Sequence, residues 1–384
     1  MGNSVLRVEV KPELLRWARE RSGLDAEELS QRVPRFGEWE SGASLPTLRQ
    51  LECFAKATRT PVGFLFLSAP PEESVPIPDF RTMENRQMGR PSPDLLETIY
   101  ICQQRQEWYR AFCSSIGAEA RTFVGTAKVT SSVESTAAEM RRVLRFDLEE
   151  RRRMVSWTDA LRRFIELADD LGVLVMVSGV VGSNTTRKLD PEEFRGFALV
   201  DSLAPLVFLN GADTKAGQMF SLAHELAHVW LGETALSNDR PVSTPRNRAE
   251  AWCNRVAAEF LVPLASLKKE YDPKADLWKE VARLKGVFKV SSLVILRRIH
   301  DAGGLTESAL WKAYKSELAR LLATPKSSGG DFYLTQAARV GKRFARALVS
   351  QTLEGLTLYT EAFRLLGFSK LATFEKLGDS LGVV

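Results

Sequence analysis

The chain has 384 residues, of which 44% are hydrophobic and 26% charged, and its formal net charge is +5 with a pI near 9.0. This composition is typical of a soluble globular protein with two to four structural units, and its mild basicity permits nucleic-acid binding without requiring it. No apolar run reaches the roughly 18 residues of a membrane-spanning helix, and the first ten residues lack the features of a secretory signal. We therefore expect a cytoplasmic protein with no membrane partner. The four cysteines form no C-x-x-C pair, which argues against a zinc knuckle or a disulfide framework.

Residues 1–69 have the pattern of a compact group of short helices. Pro12 suits a first helical position, Gly23 suits a helix end, and Asp25 and Thr47 suit two further N-caps. A third short helix is expected around residues 35–40. Prolines are then concentrated in residues 70–92, and this composition predicts a semi-rigid linker.

The remainder of the chain is predicted to be mostly helical around one small sheet. Apolar spacing predicts long helices at about 94–115, 133–144 and 157–171, and helix dominates again from residue 218. Apolar, β-branched runs predict three strands, at 173–181, 194–201 and 203–210. The expected fold class is therefore α+β, mostly helical, with these parts: a helical connector at 93–150, a domain with a three-stranded sheet at 151–325, and a C-terminal helical segment at 326–384.

The sequence His224-Glu225-Leu226-Ala227-His228 is an H-E-x-x-H motif. On a helix, residues four apart share one face, so the two imidazoles can bind one metal ion while Glu225 acts as a general base. Ser221 is the expected N-cap of this helix and Gly232 its expected end. The alternative is a pair of solvent-facing histidines, but the chain has only three histidines in total.

Zinc requires a third protein ligand, and several residues of the chain could supply it. His300 is expected at a helix surface, and Cys253 in an apolar neighbourhood. Two carboxylates qualify, Glu250 and Glu259. They are nine residues apart and so lie on roughly opposite faces of one helix. Small residues on the face of Glu250 favour it modestly. Another divalent metal in place of zinc remains possible.

The motif and the segment after it resemble the ImmA/IrrE family of metallopeptidases. The downstream match is Glu250-Ala251-Trp252-Cys253-Asn254, followed by Ala257-Ala258-Glu259-Phe260-Leu261-Val262-Pro263. The resemblance implies a zincin-like peptidase domain that holds Zn²⁺ through His224, His228 and Glu250, with Asn254 as a candidate supporting residue. It also implies that the substrate is a helix-turn-helix repressor cut at a specific site. An edge strand at about 203–210 is expected to bind that substrate by strand addition.

Residues 14–66 resemble an XRE, or lambda-repressor-like, helix-turn-helix domain. The matching pieces are Arg16-Trp17-Ala18-Arg19-Glu20, Glu27-Glu28-Leu29-Ser30 and Trp39-Glu40-Ser41-Gly42. Only nine residues separate Leu29 from Trp39, so the turn and the recognition helix are shortened. Arg32 and Arg35 remain as candidate contacts to DNA phosphates or to a partner. Operator binding and protein docking or dimerisation are therefore both open.

Two functions follow from these patterns. The first is a zinc-dependent regulatory endopeptidase that cleaves a specific protein partner, with a transcriptional repressor as the favoured substrate. The second is a non-catalytic transcriptional regulator or antitoxin that binds DNA or a partner toxin. An intact Glu225 favours the first, because metal binding alone does not need this side chain. A homodimer is compatible with either function.

Overall fold

The computed structural model describes residues 6–79, 82–83, 86–87, 90–237, 247–323 and 332–383. The chain divides into two compact units. One comprises Met1–Pro76 with Gly89–Glu97, and the other comprises Ile77–Met88 with Thr98–Val384. The short segment after Pro76 thus belongs to the larger unit, which also contains the H-E-x-x-H motif.

The smaller unit is built from short helices around its own apolar core. The helices are α1 (Pro12–Ser22), α2 (Ala26–Arg32), α3 (Phe36–Glu40) and α4 (Leu48–Ala57), followed by a 3₁₀ helix, Val62–Phe66. As the sequence predicts, Asp25 accepts a hydrogen bond from the Glu28 N–H, and Thr47 forms a capping box with Gln50. The third helix has only five residues.

From residue 93 onward the chain is mainly helical, which confirms the expected fold class. The helices are α5 (Pro93–Ser115), α6 (Val133–Leu144), α7 (Leu148–Arg153), α8 (Trp157–Leu171), α9 (Lys215–Leu231), α10 (Arg248–Leu261), α11 (Leu264–Glu270), α12 (Leu277–Phe288), α13 (Ser292–Asp301), α14 (Glu307–Ala323), α15 (Phe332–Val340), α16 (Lys342–Leu353), α17 (Tyr359–Leu366) and α18 (Leu371–Leu381). Among the described residues, no helix is both long enough and apolar enough to cross a membrane.

The larger unit contains a two-stranded pair and a four-stranded mixed sheet. The pair is β1 (Thr82–Met83) with β2 (Arg86–Gln87), and the sheet contains β3 (Leu174–Ser178), β4 (Gly196–Leu199), β5 (Leu206–Asn210) and β6 (Ala235–Ser237). The order across the sheet is β3-β5-β4-β6, with β3 parallel to β5 and the other pairs antiparallel. The expected count of three strands was wrong because β6 has only three residues, too few for an alternating pattern to be visible.

The position of β5 also differs from expectation. Residues 203–210 were expected to form a substrate-binding edge strand, but β5 lies between two neighbours. Leu206 pairs with Leu174 on one side and with Leu199 on the other. A strand that is paired on both sides has no free row of N–H and C=O groups, so β5 cannot accept a further strand.

The motif helix α9 is held between the sheet and another helix. It packs on β4 and β5 on one side and against α10 on the other, and α10 packs in turn against α6. Every residue of α9 from Ala216 to Trp230 is buried. A helix that is buried all round can keep polar side chains only where they have partners, so its two histidines and its glutamate define a polar site inside the core.

Candidate metal centre

The helix that carries the motif begins earlier than the sequence predicts. Thr214 caps α9 by accepting a hydrogen bond from the Gly217 N–H at 3.0 Å, so Ser221 was wrongly predicted as the N-cap and lies inside the helix. Gly217 is required here because a Cβ atom at this position would lie 2.1 Å from Oδ2 of Asp213. Gly232 ends the helix in the left-handed conformation, with φ of 76°, as expected.

Three side chains from α9 and α10 converge on one point. The Nε2 atom of His224 lies 3.1 Å from one carboxylate oxygen of Glu250, and Nε2 of His228 lies 3.0 Å from the other. The two Nε2 atoms are themselves 3.1 Å apart. Each of the three residues is 1% exposed or less. Two imidazole nitrogens and a carboxylate thus share one small volume within the protein core.

This cluster fits a zinc ion. Two imidazoles and one carboxylate are a donor set that zinc uses in catalytic sites, and ligands at about 2 Å in tetrahedral geometry are separated by about 3.3 Å. The observed separations lie close to that value. A hydrogen bond of 3.1 Å between Nδ1 of His224 and Oδ1 of Asn254 assigns the proton of His224 to Nδ1. Nε2 of His224 therefore presents its lone pair to the other ligand atoms.

Burial also favours the neutral, metal-binding form of one of the two histidines. Burial lowers the pKa of His228, because desolvation disfavours the imidazolium, while the nearby Glu250 carboxylate opposes this change. In a neutral imidazole one ring nitrogen carries no proton, so a metal ion can bind there without displacing one. His228 therefore keeps its neutral, metal-binding form at a lower pH than an exposed histidine would.

Glu225 lies beside the cluster and is 1% exposed. Burial raises the pKa of Glu225 to about 8, while His224 and a hydrogen bond with Ser237 act in the opposite direction. Gly196 packs closely against this carboxylate. A Cβ atom on Gly196 would lie 3.1 Å from Oε1 of Glu225 and 2.9 Å from the carbonyl oxygen of Phe208.

Ser237 is a site residue that the sequence analysis missed. It is the last residue of β6, and its hydroxyl lies 3.3 Å from Nε2 of His224. It also forms a hydrogen bond with Glu225. Nothing in the sequence singles out this serine, because the sheet pairing that brings β6 to the site is not a local property of the chain.

The other carboxylate on the same helix has a structural role. Glu259 pairs with Arg298 and accepts a hydrogen bond from the Leu264 N–H at 3.2 Å. Arg141, Arg151 and Arg298 also donate hydrogen bonds to the carbonyl oxygens at the C-terminal end of α10. These guanidinium groups satisfy the carbonyl groups at the end of α10, and their positive charge complements the negative end of the helix dipole. Glu259 pairs with one of them, Arg298, and so lies outside the metal cluster.

The remaining candidates also lie outside the cluster. Cys253 is buried in the apolar core, and His300 is located near the end of α13, 3.6 Å from Asp301. In the smaller unit, Arg32 is exposed at the end of α2, and Arg35 forms a 2.7 Å ion pair with Glu38. A contact of Arg32 or Arg35 with DNA or a partner stays a prediction.

The part of the chain that contains the cluster matches a known protein family. Residues 168–300 match the IrrE N-terminal-like domain of the Peptidase_M78 family, and residues 340–380 match a domain of unknown function, DUF8813. No curated protein and no solved structure gives a match. The first of these segments contains His224, Glu225, His228 and Glu250. The part of the chain that forms the cluster is therefore similar to a metallopeptidase-type domain of the IrrE kind.

Proposed function

We propose that this protein is a zinc-dependent regulatory endopeptidase that hydrolyses a peptide bond in a specific protein partner, with helix-turn-helix repressors as the substrate class. The observation that carries the proposal is the convergence of His224 and His228 from α9 with Glu250 from α10. Glu225 lies beside this cluster, on the same helix as the two histidines. The similarity of residues 168–300 to a peptidase-family domain supports the same reaction class.

The side chains divide the chemistry between them. Zinc held by His224, His228 and Glu250 would supply Lewis acidity toward the scissile carbonyl and toward water. Glu225 accepts a proton from the water molecule as its oxygen attacks the carbonyl carbon, and it then delivers that proton to the amine as the C–N bond breaks. Its buried position beside the ligands suits Glu225 to both transfers. Asn254 keeps the ring of His224 in the orientation that binding requires.

Glu225 also argues against a purely non-catalytic regulator. A protein that only binds zinc needs the three ligands but no further carboxylate. Placing a carboxyl group in the core carries a desolvation penalty, which is visible in the raised pKa of Glu225. Retaining such a group beside the ligands is understandable if it transfers protons. For the smaller unit we propose a recognition role toward DNA, the protein partner or a second copy of the chain.

The proposal is tested with the full-length protein and the Glu225→Gln variant. We expect one zinc ion per chain in both proteins by plasma mass spectrometry. Each protein is then incubated with a cell extract, and newly formed N-termini are labelled and sequenced. New N-termini should arise with the wild-type protein alone, and within a small set of sequences. Absence of bound zinc, or identical N-termini with both proteins, would contradict an endopeptidase.

A further inference from the structure

The edge of the sheet nearest to the metal cluster is β6. One side of this strand pairs with β4, where Leu236 lies opposite Phe197. Its last residue, Ser237, contacts both His224 and Glu225. An extended polypeptide that paired with the outer side of β6 would therefore lie along the strand whose last residue contacts His224 and Glu225. This edge is the natural place for a substrate backbone, because strand addition positions main-chain atoms without demanding a particular sequence.

That outer side of β6 already has an occupant from the same chain. The carbonyl oxygen of Pro78 accepts a hydrogen bond from the Leu236 N–H at 3.0 Å, and Asp79 forms a parallel bridge with Leu236. The side chain of Ile77, one residue earlier, is buried, with 8% of its surface exposed. These residues belong to the same compact unit as the sheet, although the sequence analysis assigned them to a linker.

We propose that Ile77, Pro78 and Asp79 form an intramolecular strand that competes with the substrate for the outer edge of β6. The inference rests on the proposed endopeptidase function and deepens it, because it identifies the surface for the substrate backbone and the segment that blocks it. The occupied edge is a closed state. Cleavage then requires this segment to leave β6, so any partner that draws it away activates the enzyme.

The composition of the segment suits a competitor that can be displaced. Pro76 and Pro78 restrict the backbone to extended conformations, which reduces the entropy lost when the segment pairs. Proline has no N–H, however, so Pro78 offers β6 only its carbonyl group. A substrate strand with an N–H at each residue can form additional hydrogen bonds. Because the segment is tethered, its effective concentration is in the millimolar range, which favours it over a dilute substrate.

The test uses full-length protein with substitutions at Ile77. Ile77→Asp and the milder Ile77→Ser should weaken pairing with β6, while Ile77→Val keeps an apolar, β-branched side chain and serves as the matched control. The first readout is hydrogen exchange at the Leu236 amide. The second is the affinity of a fluorescent peptide with the sequence of residues 74–83, which copies the segment in trans. Far-UV circular dichroism verifies that each variant is folded.

In Ile77→Asp we expect exchange at Leu236 to be at least about tenfold faster, and the peptide to bind at least about tenfold more tightly than to wild type. Full exposure of a buried isoleucine exceeds the about 1.4 kcal/mol that corresponds to a tenfold change. Ile77→Ser should show the same direction, and Ile77→Val should resemble wild type. Unchanged exchange at Leu236, or faster exchange without tighter peptide binding, would overturn the proposal. Neither readout requires catalysis, so a lack of cleavage would count against the proposed function alone.

Discussion

Two glutamates on α10 provide a sharp test of the site, because the structure gives them opposite roles. Glu250, in the first turn, lies 3.0 to 3.1 Å from the imidazole Nε2 atoms. Glu259, near the last turn, pairs with the buried guanidinium of Arg298. We predict that Glu250→Ala abolishes tight zinc binding while the metal-free protein stays folded. Glu259→Ala should retain zinc and lose stability.

The size of the second effect follows from burial. The side chains of Arg298 and Glu259 are 6% and 10% exposed, so removing the carboxylate leaves a charged group in the core with its main counter-charge gone. Breaking a buried pair from one side destabilises a protein by about 3–5 kcal/mol. At about 2–4 °C per kcal/mol for a large domain, Tm should fall by about 6–20 °C. Arg298 keeps its hydrogen bond to the carbonyl oxygen of Val262 and its ion pair with Asp301, which favours the lower half of this range.

Both measurements are made on the same preparations. Zinc affinity is determined by competition with a chromophoric chelator. Thermal unfolding is followed in EDTA, so that bound metal does not contribute to the apparent stability. We expect zinc affinity to fall at least about 100-fold in Glu250→Ala, since loss of a direct ligand should exceed the about 10–100-fold effect of a supporting residue. Zinc affinity in Glu259→Ala should stay within a few-fold of wild type.

The opposite pattern in these two variants would contradict the roles given to Glu250 and Glu259. If Glu259→Ala loses zinc and Glu250→Ala retains it, the ligand set is wrong. If both variants retain zinc, the carboxylate ligand comes from another part of the chain. Arg298→Lys is an informative companion, because a lysine can keep the charge but not the several directed hydrogen bonds of the guanidinium group.

Three further predictions concern the surroundings of the cluster. Asn254→Ala removes the acceptor for the Nδ1–H group of His224. Zinc affinity in the chelator assay should therefore fall by about 10–100-fold. An unchanged affinity would mean that the imidazole ring of His224 is oriented without Asn254. Gly196→Ala places a Cβ atom 2.9 Å from the Phe208 carbonyl oxygen and 3.1 Å from Oε1 of Glu225. We therefore expect the free energy of unfolding, measured with urea, to fall by about 1–3 kcal/mol. An unchanged free energy of unfolding would show that β4 can shift at little cost. Adding zinc at about 1,000 times its Kd to the metal-free protein should raise the free energy of unfolding by about 4 kcal/mol. An unchanged Tm after zinc addition would contradict specific binding to the folded state.

Local patterns in the sequence predicted much of the fold and the core of the candidate site. The four-residue spacing of His224 and His228 is a property of one helix, and its geometry is the same wherever the helix lies. The bounds of α6 and α8 agree with the predicted ranges because Ser132 and Ser156 cap their N-terminal ends and the apolar periodicity follows their length. By contrast, Ser221 was a plausible cap by type, but the chain before it was already helical.

The features that the sequence analysis missed depend on pairing between distant segments. Ser237 reaches His224 because β6 adds to the sheet beside β4, and the three residues of β6 have no recognisable pattern. The ion pair between Glu259 and Arg298 joins residues 39 positions apart. Both carboxylates on α10 are compatible with a metal ligand by residue type, and only the packing of α10 against α9 separates them.

Burial of the metal cluster and occupation of the β6 edge are consequences of one arrangement. His224, His228, Glu250 and Glu225 are each 1% exposed or less, so under the proposed function a polypeptide substrate reaches them only when part of the surrounding structure moves. Movement of the sheet or of α9 would break up the main core, which carries a large penalty. Pro78 and Asp79 pair with Leu236 as a short segment, and a short segment can open locally without unfolding the sheet. Within the described residues, and under the proposed function, the β6 edge is thus a place where access to Glu225 can be controlled without unfolding the domain.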